Sequence, residues 1–215
     1  MMNYTNKEKR KIVQHDYNAI ADIYAKHYSK MDYCKIYIDE FVASLSGKDV
    51  LDVGCGAGQI TDYLTQKGLN VIGLDFSQEL LKIAKQNFPN SKFILADICD
   101  YKQETKVDGI ITKDTLFHLP DEDLIHVLQK FKRLLKPNGN ICIILDTPKE
   151  IGENIFVEEL DSKQQVYYNY LSAEKLKNML EKTGFNVKKV QLVNENDNAS
   201  TYATGLMIFY VDNEC

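Results

Sequence analysis

At 215 residues with 44% hydrophobic content, sparse Gly and Pro, and no internal repeat or low-complexity linker, the chain can bury one full core and is expected to form a single domain. A net charge of −5 and a pI near 5.4 exclude a generic nucleic-acid binder, whose phosphate contacts need a basic surface. The five cysteines (34, 55, 99, 142 and 215) lack Cys-x-x-Cys spacing, giving no zinc pattern and suiting a reducing compartment, and no run approaches the ~18 apolar residues of a membrane span or a secretory leader, so a soluble, cytoplasmic protein without a membrane partner is expected.

The basic run Lys7, Lys9, Arg10 and Lys11 contains Glu8 and opens a helix, which reads as a solvated face. Tyr17, Ile20, Ala21, Tyr24, Ala25 and Tyr28 recur at i, i+3, i+4, i+7, i+8 and i+11, the stripe of an amphipathic helix over 17–28. Cys34, Tyr37, Ile38, Phe41, Val42 and Leu45 repeat the pattern, so two helices precede the first strand. That strand is Val50, Leu51, Asp52 and Val53, apolar and β-favouring as in a sheet covered on both faces. It stops on Gly54, Cys55, Gly56, Ala57 and Gly58, where backbone without a Cβ lets a ligand lie against the main chain. A helix beginning near Gln59 then points its first amides at whatever fills the turn, as in nucleotide cradles.

Asp-x-Gly-x-Gly-x-Gly over Asp52 to Gly58 resembles motif I of the class I S-adenosylmethionine-dependent methyltransferases of small-molecule type, and the similarity extends over roughly residues 15 to 211. Dinucleotide folds carry a glycine turn too, but their Gly-x-Gly-x-x-Gly/Ala, aligned on Gly54 and Gly56, would need a small residue where Gln59 stands. Ahead of the motif, Tyr17, Ala21 and Tyr24 form a Tyr-x-x-x-Ala-x-x-Tyr pattern similar to the family's N-terminal lid, which implies that Tyr17 or Tyr24 touches ligand. The resemblance also makes Asp52, Gly54, Cys55, Gly56 and Gly58 cofactor-binding positions, the cofactor being S-adenosyl-L-methionine.

Ile60, Tyr63 and Leu64 stripe the next helix, which stops at Gly68 as a left-handed terminal residue, and Leu69 to Leu74 is a second strand ending in Asp75. Asp75 follows Gly54 by 21 residues, close to the ~20-residue offset at which an acid meets ribose hydroxyls, and a carboxylate accepts both hydrogen bonds of a vicinal diol. Ser77 caps a helix containing Leu80, Ala84 and Phe88 and stopped by Pro89, and Phe93 to Ala96 is a third strand ending at Asp97. By resemblance Phe76 packs against adenine, Asp97 accepts from the adenine amine, and Ile98 packs on the ring. Val107 to Thr112 is the fourth strand; in the family the backbone carbonyl near Lys113 receives the methionine ammonium.

Asp121 is expected to cap a helix with Leu124, Val127, Leu128, Phe131 and Leu135 inside and Lys132, Arg133 and Lys136 near its end. Leu134 to Gly139 matches a family signature, Leu-Leu-Lys-Pro-x-Gly, before a fifth strand from Ile141 to Leu145. Strand and helix alternate from 48 to 146, which predicts a parallel sheet with right-handed crossovers and ligands at the strands' carboxyl ends, where Asp52, Asp75, Asp97 and Lys113 converge. Beyond it lie a looser insert over 147–171, a helix opened by Ser172 and ending at Gly184, and strands at 185–193 and 202–211 joined by a polar loop. The expected fold is a three-layer Rossmann-like α/β architecture with a seven-stranded, mostly parallel sheet of order 3-2-1-4-5-7-6, the last strand antiparallel. Its parts are N-terminal lid helices (1–46), a cofactor-binding core (47–146), the insert (147–171), and a closing helix and hairpin (172–215).

Methyl transfer from a sulfonium is an in-line displacement that needs alignment and exclusion of water, and no obligatory catalytic residue follows. Where the acceptor must lose a proton, His118 is the candidate base, although a His before Leu119-Pro120 also serves to hold a loop; His15, His27 and His126 have no acid partner at motif spacing. The expected partner is a small-molecule methyl acceptor, with no nucleic acid, and the chain is expected to be a monomer or homodimer. Glu158, Glu159, Tyr167, Tyr168 and Tyr24 suit an amine or aromatic acceptor, though tyrosines fill ordinary interfaces as well. A non-catalytic S-adenosylmethionine or S-adenosylhomocysteine sensor and an NAD-type oxidoreductase stay open as alternatives.

Overall fold

Apolar residues on both sides of the first strand are explained by its place at the centre of a sheet. The computed structural model describes residues 4–30, 33–102, 105–158, 160–161, 163–194 and 203–213, so Glu159 and Cys215 lie outside the described residues. Its strands are β1 (Asp49–Val53), β2 (Asn70–Asp75), β3 (Lys92–Leu95), β4 (Val107–Lys113), β5 (Leu135–Pro148), β6 (Gly152–Val157), β7 (Gln165–Tyr170), β8 (Asn186–Asn194) and β9 (Ala203–Asp212). Seven of them form one sheet in the order β3-β2-β1-β4-β5-β9-β8. The first five pair in parallel and β9 runs antiparallel to both β5 and β8. This is the expected topology, the two remaining strands having shifted the numbering.

Side chains alternate across this sheet with period two. Leu51 and Val53 of β1 join Ile143, Leu145, Met207 and Phe209 on one face, beneath α6 (Asp121–Leu134) and α7 (Ala173–Lys182). Val50 joins Cys142, Ile144 and Ile208 on the other, beneath α3 (Lys35–Ser44) and α4 (Gln59–Gln66). The helix α5 (Gln78–Asn87) is capped by Ser77, whose hydroxyl accepts from Leu80 N–H. No helix among the described residues is long and apolar enough to cross a membrane.

Three expectations are corrected. The stripe over 17–28 belongs to two helices, α1 (Asn6–Ala19), opened by a capping box of Thr5 and Glu8, and α2 (Ala21–His27), with Ile20 as the break. The 3.6-residue spacing survives a one-residue break, so periodicity could not reveal it. Asp121 does not cap α6: Pro120 occupies the cap, and the Asp121 carboxylate instead accepts from Asn169 and Lys175, both at 2.8 Å. The insert is a hairpin, β6 paired antiparallel with β7, a separate two-stranded sheet laid against α1.

Gly58 is the N-cap of α4 at φ 92°, and a Cβ there would stand 2.8 Å from Phe93 Cζ and 3.0 Å from Ala84 Cβ. Gly58→Ala therefore combines left-handed strain of ~1–2 kcal/mol with overpacking of ~1–3 kcal/mol. Urea unfolding is expected to show a loss of about 2 to 5 kcal/mol, and an unchanged midpoint would contradict this account of the turn.

Candidate active site

A cavity of about 650 Å³ opens at the carboxyl ends of β1, β2 and β4. Asp75, the last residue of β2, forms its floor and is nearly buried. Its Oδ2 accepts from Gly56 N–H and its Oδ1 from Ser77 N–H, each at 2.8 Å. Burial pushes the carboxyl up to about 6, against the pull of backbone donors at Ser77, Gly56 and Phe76. An ionised carboxylate offers about four lone-pair sites, so these two bonds leave acceptor capacity on both oxygens.

Gly54, Gly56, Phe76, Asp97, Ile98, Lys113, Tyr24 and His118 line the same cavity as Asp75. Gly54 is left-handed at φ 73°, and its missing Cβ is where Thr115 packs. Asp97 is not an idle loop acid: Oδ1 accepts from Cys99 N–H at 2.8 Å and Oδ2 from Arg10 Nε at 2.9 Å. Lys113 is half-buried and paired with Asp114; desolvation draws its pKa down, but Asp114, Tyr33 and Tyr24 outweigh that and raise it, so it carries its charge. Its side chain reaches over the Tyr33 ring. Tyr24 sits over Gly56, where a Cβ would meet the ring at 3.6 Å.

Asp52, Cys55 and Gly58 are set back from this cavity. Asp52 is buried on the α4 side of β1, accepting from Thr61 Oγ1 at 2.6 Å, and burial near Asp75 lifts its carboxyl to about 7. Gly58 faces Phe93 and Ala84. Cys55, whose thiol burial keeps protonated, borders a neighbouring cavity of about 480 Å³ together with Gln59, Lys30 and Tyr33.

His118 lies in the 3-10 turn Leu116–His118 after β4, packed edge-on to Phe117 and beside Tyr168. Its Nδ1 stands 2.9 Å from the Tyr167 carbonyl, and its Nε2 stands 2.9 Å from the Tyr17 hydroxyl. A carbonyl only accepts, so Nδ1 carries the proton, Nε2 is the acceptor, and Tyr17 donates. Burial drives the imidazole down to about 4, although the Tyr167 carbonyl opposes it. Both nitrogens are engaged, and Nε2 fixes the direction of the Tyr17 hydroxyl.

Arg10 was not singled out, because it sits in a basic run that read as solvated. It is the residue that turns inward, bridging Asp97 and Asp123 at the cavity rim. A second cavity, of about 430 Å³, shares Tyr17 and Tyr24 with the first and is further walled by Tyr28, Phe117, Tyr168 and Tyr170, with Asp146 and Glu158 among its lining residues. Tyr168 and Tyr170 stack at 4.8 Å between centroids, 8° from parallel. Tyr167, grouped with them from the sequence, points away to pack with Val13 beneath Lys9. Asp146 could have been noticed as an acid near the carboxyl end of a strand; Asp16, fully buried beside Glu158, carried no signal at all.

Residues 50–139 match a family described as a methyltransferase domain. The chain is 28% identical over 182 residues to a ubiquinone biosynthesis O-methyltransferase of Nitrosospira multiformis, covering 79% of this chain and 75% of that one. It is 34% identical over 117 residues to the enzyme of that name from Actinobacillus pleuropneumoniae serotype 7, where it covers 48% of this chain and spans about half, 47%, of the relative's length. Among solved structures, an S-adenosylmethionine-dependent methyltransferase from Clostridium acetobutylicum superposes with a TM-score of 0.71 at 20% identity, over 93% of this chain and 99% of that one. The 1,6-didemethyltoxoflavin-N1-methyltransferase of Burkholderia thailandensis superposes with a TM-score of 0.77 at 15% identity, over 100% of this chain and 93% of that one. At these identities the two superpositions establish the fold.

The tautomer and burial of His118 make its titration a direct test of this geometry. A His whose folded pKa lies below its unfolded value binds fewer protons folded than unfolded, so its contribution to stability falls as pH drops from ~6.5 toward 4. Two-dimensional NMR of the imidazole is expected to report a neutral Nδ1–H ring throughout pH 5 to 8; a midpoint near 6.5 would mean the ring is solvated and the Tyr17 contact wrongly drawn.

Proposed function

We propose that this chain is a class I S-adenosylmethionine-dependent methyltransferase that transfers a methyl group to a small-molecule acceptor, holding the cofactor in the first cavity and the acceptor in the second. The cofactor supplies a methyl group on a sulfonium, ready for in-line displacement. The observation that carries the reading is Asp75: a nearly buried carboxylate at a strand's end, held by two amides, with its remaining lone pairs available to a diol.

In this reading Asp75 accepts from the ribose hydroxyls, Phe76 and Ile98 pack against adenine, and Asp97, oriented by Arg10, accepts from its amine. Gly54 and Gly56 let the ligand approach the backbone, and the main chain at Lys113 faces its amino-acid end. Tyr24 closes over the glycine turn. Asp52 supports the turn through Thr61 rather than touching ligand. The relatives' shared name supports transfer to a small molecule, and the match to part of their length leaves the acceptor to this chain's own second cavity.

Removing the Asp75 carboxylate deletes charge-assisted hydrogen bonds of ~1.5–3 kcal/mol each. Asp75→Ala is expected to weaken S-adenosylhomocysteine binding at least ~10-fold by calorimetry. Protonation has the same direction: wild-type affinity should fall as pH drops through about 6, and Asp75→Asn should flatten that dependence. Unaltered affinity in Asp75→Ala removes the assignment.

A further inference from the structure

We infer that Lys130 is a positioning residue that sets the preference for adenine, acting through the turn that carries Asp97 and Ile98; the inference rests on the methyltransferase reading and deepens its cofactor site. Lys130 lies on α6 and is not among the residues that line the cofactor cavity. Its Nζ donates to the carbonyls of Ile98, Cys99 and Tyr101, at 2.7, 2.7 and 3.0 Å. An ammonium has three N–H donors, so these bonds use all of them. A long, half-buried side chain is thereby fixed entirely by main chain of one short segment.

The polar groups of the turn after β3 are sorted to two sides. Asp100 N–H and Tyr101 N–H donate to the Asp97 carbonyl at 2.9 and 2.8 Å, and Cys99 N–H donates to Asp97 Oδ1 at 2.8 Å. The amides therefore gather on Asp97, and the carbonyls of Ile98, Cys99 and Tyr101 gather on Lys130. Carbonyl oxygens crowded around one point repel each other unless a positive charge stands between them. The ammonium supplies that charge. Without it the turn opens, and Asp97 loses the amide that aims its Oδ1.

The same helix holds Asp97 a second time. Asp123 lies seven residues before Lys130 on one face of α6, with the buried Val127 between them. Asp123 pairs with Arg10, and Arg10 Nε donates to Asp97 Oδ2 at 2.9 Å. One face of α6 thus fixes both carboxylate oxygens, Oδ2 through Arg10 and Oδ1 through the turn. Ile98, buried and lining the cavity, travels with the same turn. In the cofactor reading Asp97 accepts from the adenine amine, so its aim decides whether an amine is told from a carbonyl at that edge of the base. A fixed acceptor repels a carbonyl, whereas a loose one turns away from it.

The test uses the full chain and two ligands that differ at this edge: S-adenosylhomocysteine, with an amine, and S-inosylhomocysteine, with a carbonyl. Calorimetry on the wild type is expected to give at least ~10-fold tighter binding of the adenosyl compound. Lys130→Met keeps the alkyl chain and removes the donors; it is expected to narrow that ratio by about threefold or more, through loss of S-adenosylhomocysteine affinity alone. Asp97→Asn should remove most of the preference, and Lys130→Met added to it should leave the remaining ratio unchanged. Lys130→Gln, whose amide has two donors, should retain more of the preference than Lys130→Met, and it carries the test if Lys130→Met does not fold. A structural tie would weaken both ligands alike. Equal loss of both, an unchanged ratio, the same narrowing with and without Asp97→Asn, or an unfolded Lys130→Gln overturns the inference while leaving the methyltransferase reading intact. Equal binding of the two ligands by the wild type overturns the contact of Asp97 with adenine and this inference with it. Failure to bind either ligand overturns the methyltransferase reading as well.

Discussion

A buried carboxylate held by two amides is the constraint on which the ligand-binding edge depends. Asp75 takes N–H donors from Gly56, in the turn after β1, and from Ser77, at the start of α5, so a single side chain joins three elements. The same turn is held to β2 by Gly54 N–H and Cys55 N–H, which both donate to the Leu74 carbonyl, at 2.7 and 3.0 Å. Turn, strand end and helix start therefore form one rigid unit. Desolvation opposes ionisation of Asp75, and the backbone donors offset part of that cost, leaving a carboxyl that titrates near neutrality rather than far below it. A group so poised can accept hydrogen bonds strongly without moving.

The other wall is a helix docked by polar contacts. Arg10, Gln14 and Asn18 of α1 are spaced i, i+4 and i+8, and each reaches a different part of the cavity rim. Arg10 binds Asp97 and Asp123, Gln14 donates to the Phe76 carbonyl at 2.7 Å, and Asn18 accepts from Ser77 Oγ at 2.9 Å and Glu79 N–H at 3.2 Å. Tyr17, one position from that stripe, reaches His118. Apolar burial of Val13 and Tyr17 supplies the docking energy, while the polar stripe sets register and orientation.

Why some of this could be read from the sequence and some not follows from which residues carry a periodic signal. The apolar runs within β1 to β5 are each followed within three residues by a glycine or an acid (Gly54, Asp75, Asp97, Asp114 and Asp146), and such punctuation survives without a structure. The place of Asp75 at a strand end lining the cavity was legible because a strand end and a fixed offset agreed. Asp52 is set back from the cavity for a reason visible in the pleat: it has the parity of Val50, so it points toward α4 and meets Thr61. The Arg10, Gln14 and Asn18 stripe is as regular as an apolar one, but hydrophobic periodicity does not register polar residues that point inward. Asp16 was hidden similarly, since a buried acid without a motif looks in sequence like any solvated one. The hairpin of β6 and β7 is short, and the rings that make it part of a cavity were grouped with Tyr167, whose alternation sends it to the opposite face.

Tyr17 and Tyr24 border both cavities, so docking of the N-terminal helices builds the two at once. A ligand touching either tyrosine binds only the docked arrangement and stabilises it by mass action. The benefit is reciprocal, because whatever the first ligand contributes to ordering α1 and α2 is a cost the second no longer bears. The first space holds charges of both signs, Arg10 and Lys113 with Asp75, Asp97 and Asp114, whereas the second has Asp146 and Glu158 among its rings and no Lys or Arg among its described lining residues.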